Sequence, residues 1–264
     1  SAAAHARDTL RAGAGTVDPG EVTPLEYLLN GDVATASTQY SILPSFLSFA
    51  VDRPNSVTES VAVLDAVRDR LEAVPAVQRP RLVVFGESLG AYGANGAFAN
   101  LDDLIEMTDG AMFQGPPNAT AMWRDYTDQR QPGTPEHLPV YDAGTHLRWA
   151  NQPSDLSQPP TPFRAPRAVY LQNASDPVVW WSPDVLWARP DWLGGHRGTG
   201  GLTWPWLPVI TFAGLSGDMM NSQGVPAGHG HVYGTDPVAA WADILRPAGW
   251  SAADTARLEQ HIGG

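Results

Sequence analysis

A serine hydroxyl is a weak nucleophile that becomes reactive beside a base held in place by a carboxylate. Ser88 lies in Gly86-Glu87-Ser88-Leu89-Gly90, where glycines two positions before and after it leave room for a sharp strand-to-helix turn. In that turn the hydroxyl projects above a sheet, and the N–H of Leu89, opening the helix, points at a developing oxyanion. In enzymes built this way the acid and then the base follow the serine along the chain. Asp176, in Asn173-Ala174-Ser175-Asp176-Pro177, comes just after an apolar run and is the expected acid, with Asp184 and Asp191 as the alternatives. The base is one of the pair in His229-Gly230-His231. His231 is preferred because Val232-Tyr233 can anchor it, while His229 stays open. Residues two apart on an extended segment sit about 6–7 Å from each other, so the two cannot share the role. A His-x-His pair also suits a metal, but no third ligand is marked by spacing, and no metal is expected.

The elements that must hold these groups alternate. Residues 56–74 predict a helix, with a capping-box spacing at Ser56-Val57-Thr58-Glu59 and Val61, Leu64, Val67 and Leu71 on one face. Arg81-Leu82-Val83-Val84-Phe85 is a short continuous apolar run, the pattern of a strand buried on both faces. Residues 168–171 and 208–212 read as further strands, and residues 6–11, 89–99, 236–245 and 251–262 as helices. Alternating strands and helices argue for an α/β protein with a mostly parallel central sheet flanked by helices. Segments 131–139, 152–166 and 190–208 are rich in Pro and Gly and read as long loops over the top of the sheet. One domain over residues 1–264 is expected.

Composition narrows the chemistry. There is no lysine among the sixteen basic residues, which excludes Schiff-base, pyridoxal-phosphate and Walker-type phosphate chemistry. Cysteine is absent, which excludes a thiol nucleophile, disulfides and Cys-ligated zinc. No cofactor is called for. A net charge of -12 argues against nucleic-acid binding and for solubility. No apolar run approaches the ~20 residues of a spanning helix, and residues 1–5 lack the features of a signal peptide. Any membrane association would therefore need a segment outside this chain. Ten tryptophans, concentrated after residue 149, fill a core or line an apolar pocket; Trp180 and Trp181, beside the expected acid, are the candidates for substrate contact.

Several motifs in combination resemble one family. They are Tyr27-Leu28-Leu29-Asn30-Gly31-Asp32, Gln39-Tyr40-Ser41-Ile42-Leu43-Pro44-Ser45, the Ser88 elbow, Thr108-Asp109-Gly110-Ala111, Gly115-Pro116-Pro117, the stretch from Tyr170 to Val178, Pro190-Asp191-Trp192-Leu193, and Gly228-His229-Gly230-His231-Val232-Tyr233-Gly234. Together they look like the ninth numbered family of α/β-hydrolase domains, found mainly in actinobacteria and commonly attached to an N-terminal membrane region. The resemblance covers about residues 14–250. It implies the α/β-hydrolase fold and a triad of Ser88, Asp176 and one of the paired histidines, and it supplies no substrate. Family members place a strand before a Thr-Gly-Thr-Gly-like loop that would provide the second oxyanion donor. Here that loop is Gly13-Ala14-Gly15-Thr16, making Gly15 or Thr16 the donor, and residues 6–11 before it read as helix. A strand's worth of sequence is therefore expected to be missing: either the N-terminal part of the domain is incomplete, or the N-terminal part of the sheet is unusual.

The expected function is a serine esterase of lipase-like type, acting on a small-molecule or lipid ester through an acyl-enzyme. An acyltransferase with the same triad and a catalytically silent binding module are the alternatives.

Overall fold

The computed structural model describes residues 6–13, 19–39, 53–193 and 205–263, with the backbone alone described for 6–13, 19–21 and 39. Six strands form one sheet in the order β2-β1-β3-β4-β6-β5: β1 (Ala6–Gly13), β2 (Ala34–Gln39), β3 (Arg81–Glu87), β4 (Gly110–Gln114), β5 (Leu147–Ala150) and β6 (Arg167–Leu171). Every pair is parallel.

The central strands read as apolar runs because both faces are covered. Leu82 and Val84 of β3 face one cluster with Ala111, Phe113, Ala168 and Tyr170. Val83 and Phe85 face the other, with Met112, Val169 and Leu171. This period-2 division sends alternate residues of each strand to opposite layers. On the first side lie α2 (Arg53–Glu72), α3 (Leu89–Gly96), α4 (Leu101–Met107) and α5 (Ala121–Asp128). On the second lie α1 (Pro19–Leu28) and, beyond the short α6 (Pro177–Trp180) and α7 (Pro208–Met220), α8 (Asp236–Leu245) and α9 (Ala252–Gly263). α2 and α3 approach closely because α3 carries glycines at the contact: a Cβ on Gly93 would stand 2.7 Å from the Ser56 carbonyl oxygen.

Three sequence expectations are corrected. Residues 6–11 are not helix: β1 lies between β2 and β3 and pairs with both, so pairing on two sides overrides the helical leaning of an Ala/Arg-rich stretch. The strand thought to be missing is therefore present. Residues 208–212 are not strand but the start of α7, where Pro208 occupies the first turn. There the absent N–H costs nothing and the fixed φ suits a helix. The half-buried residues 208, 211, 212, 215, 216 and 219 recur at helical spacing. Finally, Ser56 does not cap α2, which begins three residues earlier; its hydroxyl donates back to the Arg53 carbonyl at 2.7 Å and is buried against α3.

Candidate active site

β3 ends at Glu87 and α3 begins at Leu89, so Ser88 alone makes the turn. Its φ of 54° and ψ of -123° are conformations an L-residue enters at a cost of about 1–3 kcal/mol. The local structure enforces it. A Cβ on Gly86 would stand 2.4 Å from the Gly90 carbonyl oxygen, so only glycine at position 86 lets α3 fold back so tightly. The Ser88 N–H donates to the Gln114 carbonyl at 2.9 Å, tying the turn to β4. Leu89 is buried at the first position of α3, where backbone N–H groups have no intrahelical acceptor. Gly15 and Thr16 lie outside the described residues.

Asp176 follows β6 and caps α6: its Oδ1 accepts the Val178 N–H at 2.9 Å. The carboxylate is fully buried. Its Oδ2 lies 2.7 Å from Nδ1 of His231 and accepts the Tyr233 hydroxyl at 2.5 Å. Since an ionised carboxylate only accepts, Nδ1 of His231 carries the hydrogen and Nε2 is left as the acceptor in the neutral ring. Nε2 is buried and has no hydrogen-bond partner among the described residues. Burial disfavours the imidazolium, but the Asp176 carboxylate, aided by Glu87, outweighs it and holds the His231 pKa above the ordinary 6.5. Burial, and then the neighbouring Asp176 carboxylate, push the Tyr233 hydroxyl well above its usual range.

Gly115 links the two halves. Glu87 is in register with Gln114, so Ser88 and Gly115 leave adjacent strands together. A Cβ on Gly115 would stand 2.4 Å from Cε1 of His231 and 2.9 Å from the Tyr233 oxygen. The imidazole thus lies against the residue beside the Ser88 turn, about one strand spacing away. The loop carrying it is pinned at several points. The His231 N–H donates to the Ser222 carbonyl at 2.8 Å. The Asn173 side-chain amide donates to the Gly230 and Val232 carbonyls, and the Gly230 N–H donates to the Ser175 hydroxyl.

Of the expected residues, the structure joins Asp176 to His231 and sets both beside the Ser88 turn. His229 is exposed, its Nδ1 reaching only the Ala227 carbonyl at 3.4 Å. Asp184 accepts the Ser182 hydroxyl and Asp191 pairs with Arg130; neither bonds a histidine among the described residues. Trp180 is a core residue: it is 3% exposed, its Nε1 donates to the Ala174 carbonyl, and its ring packs against Trp123 and Trp192. Trp181 is half-buried and turned to α7, its Nε1 donating to the Ser216 hydroxyl and its ring 5.7 Å from Phe212. Two contributors escaped the sequence reading. Gly115 had a signal in the Gly-Pro-Pro motif. Tyr233 was expected to anchor by packing, whereas it donates to Asp176. Among the described residues, no group of three His, Asp or Glu side chains is placed to hold a metal ion.

No curated protein and no solved structure matches the chain. The alpha/beta-hydrolase family matches it over residues 6–258, a span that takes in all six strands, the Ser88 turn, Asp176 and His231. The chain belongs to the alpha/beta-hydrolase family.

Proposed function

We propose that this hydrolase-fold protein is a serine hydrolase that cleaves carboxylic esters through an acyl-enzyme. The observation that carries the reading is the buried His231 ring, bonded to Asp176 through Nδ1 and with no partner at Nε2 among the described residues, beside the strained turn at Ser88. In this reading Nε2 takes the hydroxyl proton as Ser88 Oγ bonds to the ester carbonyl carbon. The Leu89 N–H supports the oxyanion. The imidazolium, stabilised by Asp176, returns the proton to the departing alkoxide, which leaves as the alcohol. Water then repeats the sequence: His231 removes its proton as the water oxygen bonds to the acyl carbon, the acyl–Ser88 bond breaks while the imidazolium returns the proton to Ser88 Oγ, and the carboxylic acid departs.

A p-nitrophenyl ester chain-length series on the purified chain tests this. Wild-type protein should release p-nitrophenol with saturation, and Ser88→Ala should lose at least about 10³-fold in kcat with its circular dichroism unchanged. Turnover in Ser88→Ala equal to the wild type would refute the assignment.

A further inference from the structure

The two polar residues that follow β6 are buried at once: Gln172 is 0% and Asn173 1% exposed. A primary amide taken out of water is costly unless its hydrogens are spent. Gln172 spends its amide on the body of the fold, accepting the Trp123 Nε1–H at 2.8 Å and donating to the His137 carbonyl at 3.1 Å. Asn173 spends its own on the loop that carries His231. Its Nδ2 donates to the Gly230 carbonyl at 3.0 Å and to the Val232 carbonyl at 3.2 Å, the residues on either side of His231. Its Oδ1 is buried with no hydrogen-bond partner among the described residues, so the two donors are what this side chain supplies.

Backbone bonds within the loop shape it without fixing it to the sheet. The His231 N–H donates to the Ser222 carbonyl, the Val232 N–H to the His229 carbonyl and the Gly228 N–H to the Val232 carbonyl. All three are local, and the chain enters the loop from α7, which has no buried residue. The ties outward end on the segment after β6: the two Asn173 bonds, the Gly230 N–H on the Ser175 hydroxyl, and His231 Nδ1 at Asp176. Ser175 is exposed, where water can replace its hydroxyl; Asn173 is not. The Asn173 carbonyl also accepts the Asp176 N–H at 2.9 Å. One residue thus grips both sides of the Asp176–His231 contact, Asp176 through its backbone and the His231 loop through its side chain.

We propose that Asn173 is a positioning residue for the base, its side-chain amide seating the His231 imidazole at the Asp176 carboxylate. Its effect on rate rests on the serine-hydrolase reading; the seating of the ring does not. Without the amide, the Val232 carbonyl keeps only the Gly228 N–H and the Gly230 carbonyl loses its donor. A carbonyl left unpaired gains by turning to water, and the loop that turns takes the imidazole with it.

The Nδ1 hydrogen of His231 gives the readout. Held 2.7 Å from a carboxylate oxygen, this N–H resonates in proton NMR far downfield of an ordinary ring N–H. The full chain carrying Ser88→Ala is the reference, which needs no turnover, and loss of the signal on adding His231→Ala identifies it. Adding Asn173→Leu, near-isosteric and without donors, should abolish the signal while circular dichroism shows a folded chain. Gln172→Leu removes an equally buried amide that bonds elsewhere; it should lower the unfolding midpoint and leave the signal in place. With Ser88 restored, Asn173→Leu should cut kcat for p-nitrophenyl butyrate by about 10²-fold with KM little changed. A signal absent from the reference, unchanged in Asn173→Leu or lost equally in Gln172→Leu would each overturn the proposal, as would an unaltered kcat. Esters left uncleaved by the wild type would instead defeat the hydrolase reading, and the signal would still decide on Asn173. If Asn173→Leu fails to fold, hydrogen exchange in the reference decides. Asn173 Nδ2 hydrogens that exchange faster than the His231 Nδ1 hydrogen would show a ring seated without them and refute the proposal; slower exchange supports it.

Discussion

A methyl group at position 115 would collide with Cε1 of His231 at 2.4 Å, in a backbone with φ of +51° that already disfavours a side chain. Gly115→Ala should therefore leave the sheet intact and push the imidazole out of place. A displacement of about 1 Å costs on the order of 10²-fold in rate, so ester hydrolysis should fall by about that factor while near-UV circular dichroism changes little. Full activity would show that the imidazole is not seated as described. Titration of the same ring supplies a second prediction. In the proposed mechanism only neutral His231 can take the serine proton, and its pKa lies above 6.5 because of Asp176. Activity should thus fall as pH drops through a value above 6.5, the acid limb of the kcat/KM profile. Tyr233→Phe removes a hydrogen bond that stabilises the Asp176 charge, leaving that carboxylate freer to stabilise the imidazolium. The limb should therefore move to higher pH. A limb at or below 6.5 in the wild type, or one that moves down in the variant, would contradict this reading.

Elements differ in how openly the sequence declares them. β3 was legible because its residues face a core on both sides, leaving an unbroken apolar run, and α8 because Pro237 and the apolar face of Val238, Trp241 and Leu245 mark start and side. β1 was not, since Ala-Arg-Asp-Thr-Leu-Arg has no apolar run and its strand state depends on partners 26 to 75 residues away in the chain. α7 misled in the opposite direction: Val209, Ile210, Thr211 and Phe212 favour strands locally, yet Pro208 and helical spacing against α6 prevail. The Ser88 turn was readable because steric demand fixes residue types at short range. The same demand governs the α2–α3 contact. Gly93→Ala would place a Cβ 2.7 Å from the Ser56 carbonyl oxygen and 2.9 Å from the Ser60 hydroxyl. This overpacking should cost about 1–3 kcal/mol, read as a lowered midpoint in urea unfolding. An unchanged midpoint would mean that the two helices separate freely.

Across the whole molecule, the choice between the two histidines as partner of Asp176 was the feature the sequence left open, and the reason is distance along the chain. His229 and His231 have nearly equivalent neighbours, while the carboxylate that distinguishes them lies 55 residues before His231 and meets it only when the sheet assembles. The fold brings β3, β4 and β6 side by side, so that Ser88, Gly115 and Asp176 all emerge at the same strand ends. The loop after α7 then lays one imidazole among them, while the other stays in solvent. Labelling by a fluorophosphonate, which bonds covalently to an activated serine, tests this arrangement most directly. The expected result is modification of the wild type at Ser88, loss of labelling in Ser88→Ala and His231→Ala, and retention in His229→Ala. An unlabelled wild type, labelling that persists in Ser88→Ala, or labelling lost in His229→Ala but kept in His231→Ala would contradict it.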